Sequence, residues 1–155
     1  MSQIVYTSAK LSDIPAMQAL VLPEVMSGVI LHRSDDEVAN NIRSYMLAKD
    51  DDKVVGFAAL HIHAPDLAEV RSLIVDSDYR GKMIGQSLVT HTIDEAKEIG
   101  VKQLFTLTYQ KAFFEKLSFQ EIPKESLPEH KIWADCVKCK HFPICDEIAL
   151  IINLG

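Results

Sequence analysis

Apolar residues recur along this chain with two distinct periods. Between Val54 and Ile62 the run VVGFAALHI is almost continuously apolar, which predicts a strand buried on both faces. A second strand, Ala68 to Val75, follows the breaker Ala64-Pro65-Asp66. The period then changes to that of a helix: Ile84, Leu88, Val89, Ile93 and Ala96 fall on one face, and Gly100 is placed to cap the end. Upstream, Ile4 to Thr7 reads as a strand, and Ser12 or Asp13 can cap a helix beginning near Pro15. Ser34-Asp35-Asp36-Glu37 has the pattern of a capping box. It opens a helix expected to run toward Tyr45, with Val38, Ile42 and Tyr45 on one face. Asp50-Asp51-Asp52-Lys53 is a turn joining a short strand to the Val54 run. Downstream come a strand over Gln103–Thr108, a short helix over Lys111–Leu117 and a last strand over Ile148–Leu154. This order predicts an α/β chain, α+β in its connectivity, with a central mixed sheet and helices on both faces. No repeat or linker divides it, so residues 1–155 are expected to form a single domain.

Composition narrows the functional classes. At 155 residues, 48% apolar and 25% charged, the chain can bury an ordinary core. Its net charge is −6 and no basic run appears, so neither nucleic acid nor an anionic membrane is an expected partner. An anionic ligand must therefore be met locally, by a few placed cations or backbone N–H groups. No stretch approaches the ~20 apolar residues that span a bilayer. The opening MSQIVYTSAK lacks the regions of a secretory signal, so a cytoplasmic location is expected. Cys136, Cys139 and Cys145 lie in an insertion at about residues 123–145. An odd number of cysteines argues against a disulfide framework. Their ligand types would suit a zinc knuckle with His130 or His141, but the spacing is irregular and no second Cys-x-x-Cys occurs. The expectation is reduced thiols packing a loop, and no metal.

The chemistry concentrates after the second buried strand. A strand, a turn and a glycine-containing loop (Arg80-Gly81-Lys82-Met83-Ile84-Gly85) feed a helix. The unpaired N–H groups of a first helical turn, with the helix dipole, attract anions, and glycine lets a phosphate approach the backbone. Taken alone, the spacing equally describes a plain helix start.

The run from Glu69 to Leu88 resembles the acetyl-CoA motif of the GNAT acetyltransferases, written Gln/Arg-x-x-Gly-x-Gly/Ala. Arg80 and Gly85 match it, and Met83 stands where the middle glycine is usual. Phe113-Phe114-Glu115-Lys116-Leu117-Ser118-Phe119 is similar to a second family segment, FYEKLGF. The resemblance implies a GNAT-like fold with acetyl-CoA as co-substrate. It implies pantetheine along Leu73, Ile74 and Val75, where exposed strand backbone can pair with amides, and diphosphate on Arg80, Gly81, Lys82, Met83, Ile84, Gly85 and Gln86.

Acetyl transfer to an amine needs a base to remove a proton from the ammonium form. Glu69 is in the position of the family's catalytic glutamate, with His61 and His63 as secondary candidates; an exposed strand residue is the plain reading of Glu69. The departing thiolate benefits from an acid. Phe114 replaces the usual tyrosine, leaving Tyr109 or solvent. Three further segments, Gly28 to Ser34, Leu107 to Tyr109 and Leu127 to Ala149, are similar to short stand-alone bacterial N-acetylglutamate synthases. That likeness implies a small amino-acid substrate, L-glutamate, acetylated on its α-amino group as the first step of arginine biosynthesis. Arg33, Arg71 and Lys131 are the cations in the matching segments, suited to carboxylates. Alternation along the strand places Arg71 on one face with Glu69 and Leu73. Another amine, a protein N-terminus or a non-catalytic acyl-CoA-binding module are the alternatives. A homodimer is possible, as dimers are common in the family.

Overall fold

The computed structural model describes residues 3–127 and 147–155. Lys131, Cys136, Cys139 and Cys145, and with them the zinc question, lie outside the described residues. Strand β1 (Ile4–Ser8) is followed by helices α1 (Ile14–Met26) and α2 (Asp35–Asn40). Strands β2 (Tyr45–Asp50), β3 (Lys53–Ala64) and β4 (Leu67–Val75) come next, then α3 (Ile84–Ile99) and β5 (Gln103–Thr108). The described chain closes with α4 (Lys111–Glu115), β6 (Gln120–Ile122) and β7 (Ile148–Asn153). All seven strands form one mixed sheet in the order β1-β2-β3-β4-β5-β7-β6. Every neighbouring pair is antiparallel except β4 and β5.

Alternation along β3 explains how both faces are covered. Phe57 and Ala59 join Ile14, Met17, Val21 and Val38 of α1 and α2 in one buried cluster. Ala58 and Leu60 point the other way, toward Ile84, Leu88, Val89 and Ala96 of α3. A strand enclosed on both sides has no position for a polar residue between Val54 and Leu60, which is why that run is apolar throughout. No helix among the described residues is long and apolar enough to cross a membrane.

Local signals set most boundaries. Ser34 Oγ accepts from Glu37 N–H at 3.1 Å, and the Glu37 carboxylate faces Ser34 N–H at 3.5 Å, so the capping box forms. Gly100, at φ 96°, ends α3. Asp13 takes the N-cap position of α1, but its carboxylate accepts from Lys10 N–H at 2.8 Å and pairs with Lys49 at 3.0 Å instead of capping. One boundary differs from expectation. Helix α2 stops at Asn40, and Tyr45 opens β2, paired with Ala59. The helical spacing of Val38, Ile42 and Tyr45 is real, but pairing with β3 buries Tyr45 equally well and adds backbone hydrogen bonds.

Candidate active site

Two parallel strands that part company create the site. Strands β4 and β5 are in register only over Leu67–Gln103, Ala68–Leu104 and Glu69–Phe105. One step further, the Thr106 hydroxyl donates to the Val70 carbonyl at 3.0 Å. Beyond that point a cleft of about 790 Å³ is lined by both strands, the start of α3 and the 28–33 segment.

Strand β4 carries a bulge at the mouth of this split. Between the pairs Ala59–Arg71 and Phe57–Ile74, β4 advances three residues while β3 advances two. Ser72 absorbs the difference at φ 60°. Leu73 therefore turns to the α3 side, against the clusters holding Leu88 and Val89, and Ile74 takes the face of Arg71 and Ala59. This corrects the shared face expected for Glu69, Arg71 and Leu73. Period-two alternation fails because the bulge adds a residue.

After β4, Asp76 N–H donates to the Val55 carbonyl at 2.7 Å and the Asp76 carboxylate accepts from Asp78 N–H at 2.9 Å, turning the chain toward α3. The first intrahelical bond of α3 is Ser87 N–H to the Met83 carbonyl, so the N–H groups of Ile84, Gly85 and Gln86 lie outside the ladder. These three residues line the cleft, as do Arg80, Gly81 and Met83. Leu73, Ile74 and Val75 line it from β4. Lys82 does not; its Nζ lies 5.1 Å from the centre of the Tyr79 ring. Arg80 Nε reaches the Val75 carbonyl at 3.4 Å, and a terminal nitrogen stands 3.5 Å from Glu24 of α1.

Met83 holds the N-cap position of α3 at φ 63°, a left-handed conformation, with 64% of its surface exposed. Of the four non-glycine residues with positive φ among the described residues, Ser72 and Met83 both line the cleft. Such backbone costs a non-glycine residue roughly 1–2 kcal/mol. Met83→Gly is therefore expected to stabilise the fold by roughly 0.5–1 kcal/mol, after glycine's greater entropy in the unfolded chain is subtracted. A thermal melt should show the midpoint rising by about 1–4 °C. A lower midpoint would mean that the methionine side chain contributes more packing than the backbone strain removes.

The opposite end of the cleft is polar. Glu69 lines it with only 2% of its surface exposed, and its Oε1 is 2.9 Å from His63 Nε2. Neither His61 nor His63 lines the cleft, so the two histidines weighed as bases sit behind Glu69. Arg33 and Arg71 line it as well. Both guanidinium groups act on Tyr45: burial pushes its hydroxyl above the ordinary tyrosine value, against the pull of Arg33 and then Arg71. Arg33, with 13% of its side chain exposed, is 3.9 Å from Glu37, and Gln18 Nε2 donates to its carbonyl at 2.8 Å. Tyr109 lines the cleft from the end of β5, with its hydroxyl buried. Phe114 is buried against Phe113 and Phe119, and supplies no hydroxyl to the cleft wall. Thr106, Glu24 and Glu147 also line the cleft, without a signal in the sequence. None stands in a pattern that separates it from other strand or helix residues. Among the described residues no group of three or more His, Cys, Asp or Glu is placed to hold a metal ion.

The profile of the acetyltransferase (GNAT) family matches residues 17–119, which include the split strands, the loop and α3. The chain belongs to this family. It is an acetyltransferase that takes its acetyl group from acetyl-CoA. It is 35% identical to an uncharacterized N-acetyltransferase of Chlorobaculum tepidum, over 95% of this chain and 94% of that protein. It is 31% identical to an amino-acid acetyltransferase of Mycobacterium tuberculosis, over 74% of this chain and 67% of that one. Among solved structures it resembles N-acetylglutamate synthase from Neisseria gonorrhoeae, complexed with coenzyme A and N-acetyl-glutamate. That match has a TM-score of 0.88 and 27% identity, and covers all of this chain but only 36% of the synthase.

Proposed function

We propose that this acetyltransferase acts on the α-amino group of L-glutamate, the reaction that opens arginine biosynthesis. The observation that carries this reading is that the buried Glu69 and two arginines, Arg33 and Arg71, line one cleft. In a protein of net charge −6, two arginines turned into a cleft favour an anionic occupant. A dicarboxylate with one amine matches that charge arrangement. The similarity to the synthase of Neisseria gonorrhoeae and to amino-acid acetyltransferases supports it.

The start of α3 fits the diphosphate of acetyl-CoA. Three N–H groups outside the helix ladder, the helix dipole and Arg80 are all favourable to an anion. A Cβ at Gly85 would meet the Phe113 ring at 3.5 Å and Val75 at 3.6 Å, ordinary contacts that leave the fold room for a small side chain. Gly85→Ala should therefore fold. Gly85→Glu should lose the rise in melting temperature that coenzyme A produces in the wild-type protein by mass action. An undiminished rise in that variant would move the diphosphate away from this loop.

Acetyl-CoA supplies an activated acetyl group, whose C–S bond breaks as the amine forms the new C–N bond. Glu69 takes the proton of the acceptor's ammonium. Arg33 and Arg71 hold the carboxylates so that the amine faces Glu69. Tyr109, on the cleft wall, or solvent protonates the departing thiolate, a role that Phe114 cannot fill. Lys131 is a third candidate cation. The test is thiol release from acetyl-CoA against a panel of amino acids, polyamines and peptides. Glutamate should give the highest kcat/KM; a polyamine or a peptide N-terminus in that place would refute the acceptor assignment and leave the acetyltransferase standing.

A further inference from the structure

Glu69 does not stand alone at the base of the cleft. Its Oε1 is 2.9 Å from Nε2 of His63, and the two side chains are 2% and 3% exposed. His63 occupies a bulge on β3. Ile62 pairs with Ala68 and Ala64 with Leu67, so β3 advances two residues against one on β4, and His63 is the extra one. Bulges re-aim side chains, and this one sets the imidazole behind the Glu69 carboxylate. Two rings hold it there. Phe105 lies 5.3 Å away, tilted by 31°, and His61 meets it edge-on at 4.7 Å. His63 does not line the cleft, so an acceptor reaches it only through Glu69.

We propose that His63 is a positioning residue for Glu69. The inference rests on the reading of Glu69 as the base. His63, with Nε2 carrying the proton, donates to Oε1, and the other carboxylate oxygen, Oε2, is the one that meets the acceptor ammonium. When the amine gives up its proton, Oε2 becomes the O–H of a carboxylic acid. Oε1 keeps the His63 hydrogen bond, and no second proton moves. The proton leaves Glu69 when product departs. A carboxylate without that donor would have a freer rotamer and would turn Oε2 toward the acceptor ammonium less of the time, which slows proton removal. The arrangement follows a general pattern in which a base is oriented by a third group.

The experiment compares His63→Leu, His63→Gln, His63→Asn and Glu69→Gln, alone and as the Glu69→Gln/His63→Leu double variant, by steady-state kinetics in both substrates. His63→Leu should lower kcat by about 10- to 100-fold, the worth of a hydrogen bond to a charged group, and leave both KM values within about twofold. His63→Gln, whose amide can still donate to Oε1, should recover most of the loss. In the Glu69→Gln background His63→Leu should cost less than about twofold, because the residues act as a unit. Equal loss in His63→Gln and His63→Leu would show a packing role and overturn the proposal. So would a wild-type kcat in His63→Leu when Glu69→Gln is inactive. A wild-type kcat in Glu69→Gln would instead remove the base assignment itself. If His63→Leu fails to fold, the amides decide: Gln reaches Oε1 and should retain kcat, whereas Asn falls short and should lose it. Equal rates in those two would overturn the proposal.

Discussion

Replacing Glu69 by Gln is expected to lower kcat by about 10²-fold or more, the usual contribution of a positioned general base. The substitution keeps the volume of a side chain that is 2% exposed, so the core around it is undisturbed. What it removes is the carboxylate that can accept a proton. At neutral pH the acceptor arrives as an ammonium ion without a lone pair, and wild-type catalysis requires its deprotonation. At high pH more of the acceptor is already free amine, and the deficit of the variant should shrink. Rates measured from neutral to alkaline pH, with both substrates saturating, separate this from a structural defect. A structural defect would depress the rate equally throughout. A wild-type rate at neutral pH would return Glu69 to the status of a buried strand residue held by His63.

The second large effect concerns the acceptor end of the cleft. Arg71→Ala and Arg33→Ala are each expected to raise KM for glutamate about 10- to 100-fold, as loss of a charge-assisted hydrogen bond would. KM for acetyl-CoA should stay nearly constant, since the start of α3 supplies the diphosphate contacts. Arg71 stands on β4 between Glu69 and the Ser72 bulge and lines the same cleft as Glu69. Arg33 arrives from the segment ahead of α2, which Gln18 ties to α1 through the Arg33 carbonyl and Asp35. Arg71→Lys should restore little at a site that binds a carboxylate through the planar fork. If both alanine variants keep the wild-type KM, the guanidinium groups have no part in binding the acceptor.

Much of the architecture is legible in the residues. The uninterrupted run Val54–Leu60 demands burial on both faces, and the sheet supplies it. The helical period from Ile84 to Ala96 and the glycine at position 100 define α3 to within a turn. The capping box at Ser34 forms. What the sequence conceals are the irregularities that shape the cleft. The Ser72 and His63 bulges have no residue-type signature, since neither position holds glycine. Alternation alone therefore puts Leu73 on the wrong face and gives no reason to join His63 to Glu69. The end of α2 is not legible because Tyr45 satisfies a helical and a strand pattern equally. Lys82 follows the cofactor motif in sequence yet turns to Tyr79, because side chains in a loop obey no fixed period. Glu69 and Arg71 share a face of β4 by plain alternation, but no local pattern joins them to Arg33, which lines the same cleft where β4 and β5 diverge after Phe105.

In the proposed reaction, Arg33 and Arg71 present a glutamate amine to Glu69. The most direct test is the ratio of kcat/KM for L-glutamate to that for L-glutamine, in the wild type and in Arg33→Ala/Arg71→Ala. The two acceptors differ only in the charge of the side-chain terminus. A site built around cations discriminates through that charge, by about tenfold or more for one charge-assisted contact. The ratio should be large in the wild type and collapse toward unity in the double variant, with Glu69 unchanged. A ratio near unity in the wild type, or a large ratio that survives loss of both arginines, would contradict that role of the arginines.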